Sequence, residues 1–288
     1  MQIIDTHCHL NLVEEKGIPA LRSLENAVQN GVGSVIQIAT DLKSSIYNQN
    51  LARKIEDSDL DLNLYWTAGL HPEAAQRIDS VPEIFSLVRE NRDDPYFMGI
   101  GETGLDYFHT TEFEKEQKES FNRHLDLAEE LSLPVILHLR DGKTYSPGNT
   151  RALDDALELI TKRKNIRGVL HCFTYSHKEA EPFINLGWFV SYSGIVTYKN
   201  AEVLQEGAAS LPIENLLVET DAPYLTPVPM RGKINEPAYT LHTLNFIADL
   251  RSKNNGENPE EVKKAIYKNS IRFINLKNTA DGKSICLI

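Results

Sequence analysis

His7 and His9 stand one residue apart at the end of an apolar run, Ile3-Ile4-Asp5-Thr6-His7-Cys8-His9. Side chains at i and i+2 share one face of a strand, so both imidazoles can reach the same cation. Similar apolar runs end in groups able to bind metal: PVILH at His138, GVLH at His171, NLLVETD at Asp221 and FMGIGE at Glu102. A carboxylate such as Glu102 can bridge two cations about 3.5–4 Å apart. Glycines around it favour a tight turn after the strand. Mixed imidazole and carboxylate ligands suit Zn²⁺, Mn²⁺ or Mg²⁺, and their characteristic use is hydrolysis by an activated water. One His-x-His pair is a weak signal; its recurrence with ligands at other strand ends carries the inference.

These residues are distant in sequence, so an architecture must gather them. A parallel barrel does so because every strand delivers its last side chains to the same rim. The runs QIIDTH, SVIQIAT, LYWTAGL, YFMGIGE, PVILHL, GVLHCF, WFVSYSG and NLLVETD have strand-like enrichment. Helical periodicity lies between most of them, as in Ile18 to Asn30, Phe113 to Leu131 and Ala152 to Arg163. Strands alternating with helices predict an α/β chain with a parallel sheet. Without a dinucleotide-binding glycine fingerprint, the closed TIM-type (β/α)₈ barrel is favoured over an open sheet. The length, 288 residues, suits a single barrel domain. We assign 1–278 to the barrel, with closing helices from Tyr239 to Leu276, and 279–288 to a polar C-terminal tail. Asp141 to Thr150, DGKTYSPGNT, predicts a loop on the catalytic rim.

Composition narrows the function. Cys8, Cys172 and Cys286 are too few and too scattered for a disulfide framework or a CxxC zinc site, which suggests a reducing compartment. No signal-peptide pattern opens the chain, and no apolar stretch reaches the roughly 18 residues of a membrane span. Cys286 is third from the end, so the prenylation spacing is absent. The expectation is a soluble, cytoplasmic protein without membrane partners, monomeric by default. A net charge of −11 argues against tight, sequence-independent grip on duplex nucleic acid. It leaves nucleic acid open as a substrate, because bound cations supply positive charge locally.

Other side chains have possible supporting roles. Arg140, Arg231 and Lys233 could hold phosphate oxygens, and Tyr224 could stack on a base. Asp106 and Asp141 could orient ligand imidazoles through their second nitrogen, although Asp106 could equally cap a helix. Cys8 and Cys172 are expected to face away from the ligands as small buried hydrophobes. His109, His124, His177 and His242 lack a strand-end setting and read as surface or packing residues.

Together, DTHCHL, GLHP, GETGLDYF, VILHLRD, VLHCFT, SGIVTYKNAE, LLVETDAPYLTPVP and RGKINEPA resemble, in order, the motifs of the TatD family of metal-dependent deoxyribonucleases in the amidohydrolase superfamily. The resemblance implies a TIM-type barrel with two divalent cations. His7, His9 and Asp221 would hold one, His138 and His171 the other, and Glu102 would bridge them. The implied reaction is phosphodiester hydrolysis in DNA, chiefly from the 3′ end of single strands. In that scheme Asp221 also orients or deprotonates the attacking water. His71, in GLHP, matches a position near the substrate phosphate and would contact substrate or donate a proton without binding metal. Two features depart from the family: a longer loop after the fifth strand and Met230 before RGK. The main rival is cleavage of an amide or ester, such as an aminoacyl-tRNA. Superfamily relatives with that chemistry often bridge their metals with a carbamylated lysine, and GIGETGLDY contains none.

Overall fold

The computed structural model describes residues 2–143 and 145–279. Eight parallel strands alternate with helices in the order β1 to β8: Ile3–Cys8, Val32–Gln37, Asn63–Ala68, Phe97–Asp106, Val135–Arg140, Gly168–Leu170, Phe189–Tyr192 and Leu216–Val218. Each pairs with the next, and hydrogen bonds from Asp221 N to His7 O and from His9 N to Ala222 O, 2.9 and 2.8 Å, bring the last strand's extension against the first. The result is a TIM-type barrel in which the expected runs each contribute a strand. Residues 280–288 of the expected tail lie outside the described residues. Among the described residues, no helix is long and apolar enough to cross a membrane.

One buried apolar residue per strand fills the barrel's lower interior: Ile4, Ile36, Tyr65, Met98, Ile136, Val169, Phe189 and Leu217. Phe273 and Ile274, ending the helix Pro259–Ile274, plug this end. The period-2 alternation of a strand then fixes what reaches the opposite rim. His138 and His171 lie two positions beyond Ile136 and Val169, Glu102 and Asp221 four beyond Met98 and Leu217, and His71 six beyond Tyr65. The first strand breaks this parity, because His7 and His9 are at odd offsets from Ile4. A register irregularity between Asp5 and Cys8 against the second strand accompanies the change of face. The second apolar cluster, including Trp66, Phe121 and Phe183, fills the space outside the strands under the helices.

Glu102 does not follow the fourth strand, as its motif suggests, but lies within it. Pairing with the fifth strand continues through Gly104–His138 to Asp106–Arg140. The flanking glycines provide close approach, not a turn. A Cβ on Gly69 would stand 2.7 Å from the backbone of Gly101, and Gly101 itself adopts φ 144°, a region rarely open to other residues. Conversely, Asp221 lies beyond the short eighth strand. Asp5 bends this extension inward, accepting the backbone N–H and hydroxyl of Thr220 at 2.8 and 2.6 Å.

His124 is a packing residue, as expected. On the helix Glu114–Leu131 it is buried, with Nδ1 donating to Ser120 O at 2.7 Å and Nε2 unpartnered. Burial, with a smaller push from Arg123, lowers its pKa to about 4. Between that value and the ordinary 6.5, the unfolded chain binds the proton and the folded chain does not. Stability from this group is therefore complete above pH 6.5, falls as pH drops, and is lost below about pH 4, by up to about 3 kcal/mol. Urea titrations at several pH values should show a flatter slope in this window for His124→Asn, whose amide can still reach Ser120 O. A slope identical to wild type would remove His124 as a source of acid sensitivity.

Candidate metal centre

The catalytic rim gathers His7, His9, Glu102, His138, His171 and Asp221 into one cluster at the floor of an open cavity of about 640 Å³. Glu102 is 2 % exposed and divides the imidazoles into two sets. Its Oε2 lies 3.3 Å from His7 Nε2 and 3.5 Å from His9 Nε2. Its Oε1 lies 2.7 Å from both His138 Nδ1 and His171 Nε2. Asp221 Oδ1 completes the first set, 3.5 Å from His9 Nε2 and 3.7 Å from His7 Nε2.

Imidazole nitrogens face one another within these sets: His7 Nε2 to His9 Nε2 at 3.1 Å and His138 Nδ1 to His171 Nε2 at 3.2 Å. Nitrogens bound to one cation at roughly 2.0–2.1 Å are themselves about 3.0–3.4 Å apart, so the donors present fit divalent metal. Their outer nitrogens determine which lone pairs face inward. His9 Nδ1 contacts Ile38 O at 3.2 Å and His138 Nε2 contacts Asp106 Oδ2 at 3.1 Å, so each places its proton there and leaves the inner nitrogen unprotonated. Behind His171, Glu219 Oε1 is 3.5 Å from Nδ1.

His71 enters the same cluster with the opposite polarity. Its Nε2 lies 3.3 Å from Glu102 Oε1 and 3.2 Å from His138 Nδ1, while its Nδ1 accepts the backbone N–H of Glu73 at 3.1 Å. Burial favours the neutral ring and lowers its pKa despite the attraction of Glu102. With Nδ1 as acceptor, the neutral ring carries its proton on Nε2 and offers the cluster a donor. Burial also opposes charge on Glu102 and Asp221, yet the surrounding imidazoles hold both carboxyls below their usual range, that of Glu102 strongly. The centre thus retains negative charge for cations.

Of the expected substrate contacts, His71, Arg140 and Tyr224 line the cavity; Arg231 and Lys233 do not. The Arg231 guanidinium instead packs 3.9 Å from the centre of the Tyr198 ring. Tyr224 is 50 % exposed on the rim, and Arg140 lies over Phe108. Asp106 orients His138, whereas Asp141 touches no ligand. Asp141 accepts from Ala152 N at 2.8 Å, at the start of the helix Arg151–Thr161, and from Tyr175 OH at 2.8 Å. Cys8 is buried, but Cys172 lies on the cavity wall, contrary to the expectation that it faces away. Lys143 from the rim loop and His109 also line the cavity. His109 is not simply a surface residue, and the signal for it was its place three positions after Asp106 in a turn.

A parallel barrel with imidazole and carboxylate donors converging at its C-terminal rim defines a metal-dependent hydrolase. The chain belongs to the TatD family: the model for "TatD related DNase" matches residues 4–275. It is 34% identical over 255 residues to the metal-dependent hydrolase YcfH of Escherichia coli strain K12, covering 87% of this chain and 89% of that one. It is 32% identical over 269 residues to the metal-dependent hydrolase TatD of Mycobacterium tuberculosis, covering 90% and 93%. The crystal structure of YJJV, a TatD homologue from Escherichia coli, superposes with a TM-score of 0.78 at 28% identity, covering 95% of this chain and 98% of that one.

Proposed function

We propose that this hydrolase cleaves phosphodiester bonds in DNA, shortening single strands from the 3′ end with two divalent cations. The observation that carries this reading is the division of the buried centre by the two oxygens of Glu102 at the floor of an accessible cavity. His7, His9 and Asp221 would hold one cation, His138 and His171 the other, and Glu102 would contact both. When bound, such cations supply a nucleophilic water at neutral pH and neutralise charge on the scissile phosphate.

The chain's own groups account for the rest. Asp221, on the cavity wall beside His7 and His9, takes the proton of the attacking water. The Nε2–H of His71 donates to a phosphate oxygen, while Arg140 and Lys143 supply positive charge along the cavity wall. Tyr224 offers its face to a base at the rim. Phosphate contact without base-edge readout makes the reading one of general DNA hydrolysis, and the acidic surface disfavours wrapping a duplex.

Metal-stripped protein should leave a 5′-labelled single-stranded oligonucleotide intact. Restoring Mg²⁺, Mn²⁺ or Zn²⁺ should produce a ladder shortening from the 3′ end. Intact DNA at full cation content would refute the reading and direct attention to amide or ester substrates.

A further inference from the structure

Asp106 is shared by two imidazoles. Its Oδ2 is 3.1 Å from His138 Nε2 on one side and 2.7 Å from His109 Nδ1 on the other, while Oδ1 accepts the backbone N–H groups of Phe108 and His109 at 3.0 and 2.8 Å. The carboxylate is buried; the His109 side chain is 37 % exposed and lines the same cavity as the metal centre. Glu73 Oε1 stands 3.5 Å from His109 Nδ1. Glu73, Asp106 and His109 are close enough to hold a cation together. However, the short Nδ1–Oδ2 hydrogen bond already gives both atoms a partner. With Nδ1–H committed to Asp106, Nε2 is the ring nitrogen left to exchange a proton with an occupant of the cavity.

We propose that His109 is a catalytic general acid, protonating the oxygen that leaves when the phosphodiester breaks. This rests on the phosphodiester reading above. In-line displacement puts the entering and leaving oxygens on opposite sides of phosphorus. Asp221 belongs to the set beside Glu102 Oε2, with His7 and His9. His109 is joined through Asp106 to His138, beside Oε1. Asp221 is thus linked to the Oε2 side of Glu102 and His109 to its Oε1 side.

The step balances without another reactant. A lone pair on the water oxygen forms the new P–O bond, and the old P–O bond breaks with its electron pair remaining on the leaving oxygen. One water proton passes to Asp221, and the His109 Nε2 proton passes to the leaving oxygen. Solvent then removes the proton from Asp221 and restores that on His109. An alkoxide leaving group needs this help because it is strongly basic; a nitrophenolate does not.

The test compares cation-loaded wild type with His109→Asn on a single-stranded oligonucleotide and on bis(4-nitrophenyl) phosphate. Asn can keep an N–H on Asp106 while deleting Nε2. The expected result is a loss of about 10²–10⁴-fold on the oligonucleotide and a much smaller loss on the aryl ester, with unchanged cation content and melting temperature. Equal losses on both substrates, or none on the oligonucleotide, would overturn the assignment. A fall in cation content would overturn it too, showing that His109 acts by supporting His138. Wild type that is fully loaded yet cleaves neither diester would instead refute the phosphodiester reading.

Discussion

Asp221→Asn is expected to reduce turnover of a single-stranded oligonucleotide by about 10³-fold or more while changing its binding only a few-fold. The carboxylate has two duties that an amide cannot perform. It contributes negative charge beside His7 and His9 and, in the proposed reaction, accepts the proton of the attacking water. Its charge is supported: burial opposes ionisation, but the imidazoles of His9, His7 and His171 around it hold the carboxyl below its usual pKa. Asn is the informative replacement because Asp221 has φ 56°, in the left-handed region that Asn tolerates better than most residues. The other proposed phosphate contacts, including Arg140 on the cavity wall, are untouched. Single-turnover rates, fluorescence anisotropy with the oligonucleotide and cation content separate the effects. Wild-type turnover at confirmed cation content would remove Asp221 from both roles.

Glu102→Ala should have the larger effect on the centre itself. Adding the native divalent cation to stripped wild type at about 1,000 times its dissociation constant stabilises the folded state by about 4 kcal/mol, or roughly 5–10 °C in a domain of this size. In Glu102→Ala that shift should largely disappear and turnover should fall by about 10³-fold or more. The reason is geometric: the two oxygens of one carboxylate face separate imidazole sets, so in the proposed two-cation arrangement a single truncation removes a ligand from both. It also deletes the buried negative charge nearest His138 and His171. Scanning calorimetry with and without cation, together with metal analysis of the purified protein, reads the effect independently of activity. A variant that kept both its cation content and its thermal shift would show that Glu102 does not link the sites.

The difference between these carboxylates shows how far the linear chain could be interpreted. Both follow apolar runs, and both read as possible ligands. Yet Glu102 lies inside a continuing strand, whereas Asp221 lies past the end of a short one. Strand-like composition records apolar burial; it does not record how far backbone pairing extends. In the fourth strand, Gly101 and Gly104 admit neighbouring backbones so closely that pairing continues to Asp106. After the eighth, Asp5 redirects the chain through Thr220.

What the sequence determined by itself was the barrel and the set of groups at its rim. Local composition sets strand and helix, and period-2 alternation aligns the ligands outside the first strand with an interior apolar residue, as with Val169 and His171, whereas His7 and His9 reach the rim through a register irregularity. The polarity of each imidazole was decided only by the tertiary structure. His71 and His138 look alike as strand-end histidines, but Glu73 N–H gives one an acceptor role at Nδ1, while Asp106 accepts a hydrogen bond from the other at Nε2. The same applies to Arg140 and Arg231, both candidate phosphate binders: one lines the cavity and the other packs on Tyr198. Hydrogen-bond partners and cavity walls are assembled from distant segments, so residue type and spacing can nominate a functional group, but its surroundings fix its chemistry.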